Sequence, residues 1–254
     1  MEHLSPLMRY IPDPIIEACL KMKKPFKVSH ITGIKSPYAE AEGWFIGCPL
    51  TAKQMVELPE EFVMDRIIES GKVAQELGAK IVGLGAFTSI VGDAGITVAK
   101  NLDIAVTSGN SYTVATAIQG TKQAARMMGK DLKECRAVVV GATGSIGAAS
   151  VRLLAKEVKH ITLVARHMGP LEELAQELIE QNHCEVAVSQ DIRTSLQEAD
   201  IVITVTSALD FLIEPGDLKP GAVVCDVARP RNVSRDVSLK RNDVLVIEGG
   251  VINV

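Results

Sequence analysis

The sequence predicts an α/β fold, in which strand-length apolar segments alternate with amphipathic helices. Six strands are expected in the second half of the chain, at residues 137–140, 160–166, 185–188, 201–205, 222–226 and 244–247. The composition agrees with this fold class, because 47% of the residues are hydrophobic and only 4% are aromatic. Since strands joined through helices run parallel, we expect a doubly wound parallel sheet at the C-terminal end.

The first 130 residues predict a smaller α/β domain. Its expected elements are a helix at 15–22, a hairpin of strands at 26–32 and 43–48, a helix at 59–78, strands at 79–85 and 104–106, and a helix at 111–129. The polar segment that follows marks a boundary, so we expect an N-terminal domain at residues 1–130 and a C-terminal domain at 131–254. The last helix would bridge the two domains, with the substrate in a cleft between them.

A glycine turn follows the first strand of the predicted C-terminal sheet and leads into a helix. Gly141, Gly144 and Gly147 have the spacing of a dinucleotide-binding turn, in which the amides at the helix start face a pyrophosphate. This spacing predicts a Rossmann domain, although a glycine turn after a strand is also compatible with a purely structural role. The predicted cofactor-binding residues of the turn are Gly141, Thr143, Gly144, Ser145 and Ile146.

The residue at the end of the second sheet strand predicts the kind of dinucleotide. Arg166 stands where a protein that binds NAD commonly has an acidic residue. A guanidinium fork suits a 2′-phosphate, so the predicted cofactor is NADP(H), with a solvated strand-end arginine as the alternative. Four residues at the ends of later strands are also predicted to contact the cofactor: Thr206, Ser207, Gly249 and Gly250.

Two polar turns in the N-terminal half predict the substrate side of the site. The turns at 86–92 and 107–111 each follow a predicted strand, where loops of open α/β sheets carry ligands. We predict that Ser89 and Asn110 are catalytic, as hydrogen-bond donors to a developing oxyanion. Ordinary helix capping by the same side chains is the alternative. The predicted substrate-binding residues are Phe87, Thr88, Thr107 and Gly109.

Charge and composition exclude several classes of partner. The formal net charge is −4, so a surface that binds nucleic acid is not expected. The apolar runs have the length of strands, and the N-terminal residues lack a basic segment before an apolar one, so we expect a cytoplasmic protein with no integral membrane segment. The five cysteines lack C-x-x-C spacing, which favours neither a metal site nor a disulfide framework. A homodimer is expected only because homodimers are common.

Four segments together resemble one enzyme family. Residues 83–90, 107–113, 140–147 and 248–251 are similar, in this order, to the long-chain acyl-acyl-carrier-protein reductases, which form fatty aldehydes. The strand end at 226–233 also resembles that of glutamyl-tRNA reductases, whose nucleotide domain is related in fold to that of shikimate dehydrogenases. The resemblance implies an NADP-dependent oxidoreductase that reduces an acyl thioester, small or carrier-bound, after a cysteine thiolate has taken up the acyl group.

The position of the implied nucleophile departs from that family. The acylated cysteine of the family follows the glycine pair, but the last cysteine of this sequence is Cys225, and Cys48 is the candidate substitute. Either a C-terminal segment is lacking or the chemistry differs, and both alternatives stay open. We therefore also consider a shikimate- or amino-acid-dehydrogenase-like enzyme with a small polar substrate, for which Asp93 and Lys100 follow the first polar turn. The third alternative is a protein that binds NADP without turnover.

Overall fold

The computed structural model describes residues 12–181, 184–208 and 211–249, which contain ten strands and nine α-helices. The strands are β1 (Phe26–Lys35), β2 (Glu40–Gly47), β3 (Ile81–Gly83), β4 (Ala105–Thr107), β5 (Arg136–Val140), β6 (His160–Val164), β7 (Glu185–Ser189), β8 (Ile201–Thr204), β9 (Val223–Asp226) and β10 (Leu245–Glu248). The helices are α1 (Asp13–Met22), α2 (Ala52–Glu57), α3 (Glu60–Glu76), α4 (Ile96–Lys100), α5 (Asn110–Met127), α6 (Ser145–Leu154), α7 (Met168–Gln181), α8 (Ile192–Leu196) and α9 (Arg235–Lys240). Across these ranges, no helix is both long and apolar enough to cross a membrane. The chain packs as two units, which divide between Gly109 and Asn110.

The second unit is built around a six-stranded parallel sheet. Its strands lie in the order β10-β9-β8-β5-β6-β7. The chain runs outward from β5 to β7 and then returns to the other side of β5, so that Val140 is paired with Val164 on one side and with Thr204 on the other. This reversal is a topological switch point, the place where open α/β sheets bind ligands. The predicted fold class, α/β with a doubly wound parallel sheet, is confirmed.

Alternating side chains of the strands fill two cores, one on each face of the sheet. In β5, Ala137 and Val139 belong to the core beneath α5, α6 and α7. Val138 and Val140 belong to the core beneath α8 and α9. Because both faces are covered, the strands are mainly apolar along their length, and this made them visible in the sequence.

Helix α5 packs within the second unit, although the sequence placed it in the N-terminal domain. Its buried side chains Val114, Ala117 and Ile118 share a core with Ala137 and Val139 of β5. The units therefore divide at residues 109 and 110, about one helix before the boundary expected between 130 and 131. The reason for the difference is that an amphipathic pattern reveals a buried helix face but not the neighbour that covers it.

The first unit contains an antiparallel hairpin, a helical core and a short parallel pair of strands. β1 and β2 pair with His30 opposite Trp44, which confirms the predicted hairpin. Helix α3 supplies Val63 and Ile67 to the core of this unit. β3 and β4 pair in parallel over three residues each, and each leads into one of the two polar turns. Both turns therefore lie at the same edge of this small sheet.

Candidate functional site

The turn between β5 and α6 has no room for side chains at two of its glycines. Gly141 adopts the left-handed conformation, with φ of +87°, and a Cβ atom there would lie 2.8 Å from the backbone oxygen of Val205. At Gly147 a Cβ atom would overlap the backbone oxygen of Gly141. The absence of side chains thus lets the strand end, the helix start and the end of β8 pack closely together.

The start of α6 is open to an anion. Gly144 is the N-cap residue, and no side chain caps the helix. Nothing in the described part of the chain accepts a hydrogen bond from the amides of Ser145, Ile146 or Gly147. A Cβ atom at Gly144 would meet only the oxygen of Gly141, at 3.5 Å, so the space beside it is clear. Unpaired amides at the positive end of a helix dipole favour a phosphate in this place.

Helix α5 begins beside the same turn. Its first residue is Asn110, whose Nδ2 donates a 2.8 Å hydrogen bond to Oγ of Ser145, the first residue of α6. The two helices pack along each other, so their N-terminal ends meet at the glycine turn. The structure thus places Asn110, which was predicted as a catalytic donor, next to a residue that was predicted to bind the cofactor.

A cavity of about 350 Å³ opens over the carboxyl ends of β5, β6 and β8. Six of the residues predicted to bind the cofactor line it: Gly141, Thr143, Gly144, Arg166, Thr206 and Ser207. Ser145 and Ile146 begin α6 outside this lining, and Ile146 packs against the core. The structure therefore gathers most of the predicted cofactor residues around one cavity, at the topological switch point of the sheet.

Arg166 and His167 form the part of the cavity wall that follows β6. Both side chains are exposed, and within residues 12–181, 184–208 and 211–249 no carboxylate pairs with the Arg166 guanidinium. Nε2 of Gln190, which follows β7, donates a 2.6 Å hydrogen bond to the backbone oxygen of Arg166. Gln190 therefore fixes the backbone at this strand end, while the guanidinium faces solvent at the cavity.

Asn232 lies behind the cavity wall that follows β8. Its side chain is completely buried, and its Oδ1 accepts hydrogen bonds from the amide of Thr206 (3.1 Å) and from the Thr206 hydroxyl (2.9 Å). The same oxygen accepts a third hydrogen bond, of 2.8 Å, from the hydroxyl of Thr204. One amide oxygen thus connects the end of β8 to the wall of the cavity.

Asp226, at the end of β9, folds the loop that carries Asn232. The Asp226 carboxylate is 2% exposed and accepts hydrogen bonds from the backbone amides of Ala228 (3.1 Å) and Val233 (3.0 Å). Burial raises the pKa of Asp226 above its ordinary value, and these hydrogen bonds oppose the rise only in part. Both carboxylate oxygens are occupied by the loop, so Asp226 has an architectural role.

Gly249 is packed into the core at the end of β10. A Cβ atom there would lie 2.6 Å from Sγ of Cys225 and 2.7 Å from Cγ2 of Val227. The structure thus gives Gly249 a packing role, and its predicted contact with the cofactor stays a prediction. Gly250, which was predicted together with it, lies outside the described residues.

The two polar turns of the first unit use their hydroxyl groups locally. Hydroxyls of Thr88 and Ser89 each donate a 2.8 Å hydrogen bond to a backbone oxygen three residues earlier. Oγ1 of Thr107 accepts a 3.1 Å hydrogen bond from the amide of Gly109. Phe87 lies half-buried in the first turn. The structure thus brings the predicted substrate residues to one edge of a sheet, but the hydroxyl proton of Ser89 is already committed within its turn.

Cys48 does not have the environment of a nucleophile. It packs against the core that contains α3. Burial raises the pKa of the Cys48 thiol, and a hydrogen bond with Ser70 and the charge of Arg66 oppose this rise only in part. The thiolate is the nucleophilic form, so a raised pKa disfavours acyl transfer to Cys48 near neutral pH. Cys225 is buried more deeply, and burial raises the pKa of its thiol to about 11.

Asp93, which was considered as part of a lysine–aspartate pair, is hydrogen-bonded to the first turn of α4. Its carboxylate accepts hydrogen bonds from the amide (2.9 Å) and the hydroxyl (2.7 Å) of Thr97 in α4. These hydrogen bonds hold the pKa of Asp93 below its usual value. In the part of the chain that the structure describes, Lys100 makes no ion pair with Asp93.

Two residues of the site escaped the sequence analysis, Gln190 and Asn232. Gln190 directly follows β7 at the same edge of the sheet as Arg166, and that position is a signal that could have revealed it. Asn232 lies 28 residues from Thr204 along the chain. No spacing rule connects a loop asparagine to a distant strand end, so its role becomes visible only in the folded chain.

Three curated proteins are similar in sequence to this chain. It is 32% identical over 228 residues to the aminotransferase PigE of a Serratia species, over 89% of this chain and 26% of that protein. It is 29% identical over 204 residues to a long-chain acyl-[acyl-carrier-protein] reductase of Synechococcus elongatus, over 74% of this chain and 55% of that protein. It is 25% identical over 181 residues to a glutamyl-tRNA reductase of Trichodesmium erythraeum, over 68% of this chain and 41% of that protein. The chain therefore spans from about a quarter to about half of the length of these relatives.

The similarity to acyl reductases and glutamyl-tRNA reductases agrees with the resemblance in the sequence, but it does not single out one of them, because the aminotransferase matches more of this chain. Residues 122–248, half of the chain, match the model of a broader family, described as shikimate / quinate 5-dehydrogenase. This range contains the glycine turn and Arg166, which line the cavity, and Asn232, which supports its wall. The chain therefore belongs to the shikimate / quinate 5-dehydrogenase family of nucleotide-binding oxidoreductases.

Proposed function

We propose that the second unit binds NADPH in the cavity over the glycine turn. The observation that carries this proposal is that the open helix start at Gly144 and the guanidinium of Arg166 border the same cavity. Helix-start amides suit a pyrophosphate, and a guanidinium fork suits a 2′-phosphate. None of the described residues that line the cavity is acidic, so nothing in that lining would repel the second phosphate.

The chain's own residues would hold the cofactor at both of its charged parts. Gly141 and Gly144 let the backbone approach the pyrophosphate, and Asn110 orients the hydroxyl of Ser145 at the helix start. Arg166 would neutralise the 2′-phosphate, and Gln190 would fix the backbone of Arg166 through its hydrogen bond. When bound, NADPH supplies a hydride, which with one proton converts a thioester into an aldehyde and a thiol.

An acyl thioester or another carbonyl compound is the substrate class we propose. The acyl reductase of Synechococcus elongatus is similar to 74% of this chain, so that similarity reaches beyond residues 122–248 into the part that carries the polar turns. A thiol group of the carrier, rather than Cys48, would then be the group released on reduction. A carrier-bound substrate, a cytoplasmic location and a homodimer are parts of the same proposal, and sedimentation of the purified chain tests the last of them.

Titration of the purified chain with NADPH and NADH tests the cofactor. We expect Arg166→Ala to weaken NADPH binding about 10- to 100-fold, because hydrogen bonds to charged groups are worth about 1.5–3 kcal/mol. NADH lacks the 2′-phosphate and should bind weakly and equally to both proteins. Arg126→Ala is the matched control, because Arg126 is an exposed arginine of α5 that does not line the cavity. Equal affinity of wild type and Arg166→Ala for NADPH would contradict the assignment.

The family match favours a second candidate substrate class, a small polar hydroxy or keto acid of the shikimate type. NADPH oxidation with acyl thioesters and NADP reduction with shikimate or quinate separate the two candidates. We expect turnover with thioesters, since the Asp93 carboxylate is already hydrogen-bonded to Thr97 of α4. Binding of NADPH without turnover on either panel would favour a protein that holds the cofactor without reducing a substrate.

A further inference from the structure

We propose that Asn232 is a positioning residue of the dinucleotide site, an inference that rests on the proposed binding of NADPH. Asn232 is completely buried and does not line the cavity. Its effect on a bound cofactor must therefore pass through the residues that it holds, and two of these residues, Thr206 and Leu212, line the cavity.

The side chain of Asn232 fixes the wall at Thr206. The amide of Thr206 and its hydroxyl both donate to Oδ1 of Asn232, which leaves the Thr206 backbone and side chain little freedom. The preceding residue, Val205, packs with its backbone oxygen against Gly141, where a Cβ atom would come within 2.8 Å. Asn232 thus supports the glycine turn through the backbone of residues 205 and 206.

The backbone of Asn232 fixes a second wall. Its carbonyl oxygen accepts hydrogen bonds from the amides of Leu212 (2.8 Å) and Ile213 (3.2 Å). Asp226 in turn holds the loop of Asn232 through the amide of the next residue, Val233. One buried residue therefore joins the two segments that border the cavity on the β8 side.

An asparagine suits this position better than its nearest alternatives. An apolar side chain would leave the three donors of Thr204 and Thr206 without their acceptor, and an unsatisfied buried donor is costly. Aspartate would bury a charge near Asp226, which is paired with Thr204 across the strands. Nδ2 of Asn232 is itself buried without a partner among the described residues. The hydrogen bonds of this side chain are therefore all made by its oxygen, Oδ1.

A double-mutant cycle with NADPH affinity as the readout tests the proposal. We expect Asn232→Ala and Thr206→Val each to weaken NADPH binding about fivefold or more, since each removes at least one buried hydrogen bond. The double variant should bind NADPH no more weakly than the more strongly affected single variant, because Asn232→Ala already removes the hydrogen bond from the Thr206 hydroxyl that Thr206→Val removes. Additive losses would overturn the proposal.

Thr204→Val is the matched control, because Thr204 donates to the same oxygen of Asn232 but does not line the cavity. It should lower the melting temperature and leave NADPH affinity within about twofold of wild type. A loss of affinity as large as that of Thr206→Val would show that Asn232 is merely structural. Should Asn232→Ala fail to fold, Thr206→Ser carries the test: it keeps the donor and should bind NADPH better than Thr206→Val, and the reverse order would overturn the proposal.

Hydrogen exchange separates a failure of this inference from a failure of the proposed function. In the protein without cofactor, the Thr206 amide should exchange faster in Asn232→Ala than in wild type, and at the wild-type rate in Arg166→Ala. If wild type binds neither NADPH nor NADH, the proposed function is wrong. Exchange of the Thr206 amide then tests by itself whether Asn232 positions the cavity wall at Thr206. Unchanged exchange of the Thr206 amide would overturn that role.

Discussion

Asp200 joins three groups at the amino end of the large sheet. Its Oδ1 accepts hydrogen bonds from Nζ of Lys219 (2.7 Å) and Nζ of Lys130 (3.1 Å), and its Oδ2 accepts one from the amide of Arg136 (3.0 Å). Burial alone would raise the pKa of Asp200, but the hydrogen bonds from Arg136, Lys219 and Lys130 outweigh it and hold the pKa below its ordinary value. The charged form of Asp200 therefore stabilises the fold.

Asp200→Asn should lower the free energy of unfolding by about 1–3 kcal/mol at pH 7, where the carboxylate is ionised. Because the pKa is lower in the folded protein, this stabilisation is present above about pH 4, the pKa of unfolded aspartate, and is lost as the pH falls through the folded-state pKa. Urea denaturation of both proteins at pH 7 and near pH 3 measures the difference. Glu198→Gln is the control, because the Arg136–Glu198 pair is 3.6 Å long and exposed. An equal loss at both pH values would contradict the explanation.

In the glycine turn between β5 and α6, two similar substitutions should have different effects, one on stability and the other on NADPH binding. Gly147→Ala should destabilise the protein by about 1–3 kcal/mol, because the new Cβ would overlap the backbone oxygen of Gly141. A backbone atom cannot rotate away as the end of a side chain can. Gly144→Ala should leave stability nearly unchanged, since its Cβ has space, but should weaken NADPH binding by closing the approach to the helix amides. Denaturation curves and NADPH titrations of both variants check this pair. Loss of stability in Gly144→Ala with unchanged binding would contradict it.

The elements that the sequence predicted best are those whose environment is uniform. The strands of the large sheet are covered on both faces, so apolar runs such as Val138–Val140 marked them clearly, and the spacing of Gly141, Gly144 and Gly147 marked the turn. The sequence could not show that the Ser89 hydroxyl is bonded within its own turn, since a polar residue looks the same whether it is satisfied or available. Nor could it show the contact between Asn232 and Thr206, which depends on two distant loops folding against each other.

At the scale of the whole molecule, the position of α5 predicts which fragment folds. A fragment of residues 110–254 should unfold cooperatively, because it retains the helix that covers the sheet. A fragment of residues 131–254 should be strongly destabilised, since each apolar side chain that loses its cover costs about 1.5–3 kcal/mol. Circular dichroism during urea denaturation compares the two fragments. Equal stability of both would show that α5 is not an integral part of the second unit.

Helix α5 precedes the first strand of the large sheet in the chain, so the second unit contains the helix that covers part of its own apolar core. A gene segment that begins with this helix would encode the sheet together with the helix that covers one of its faces. The similarity to an aminotransferase and two reductases covers more of this chain than the second unit alone, so each of these alignments also includes part of the first unit.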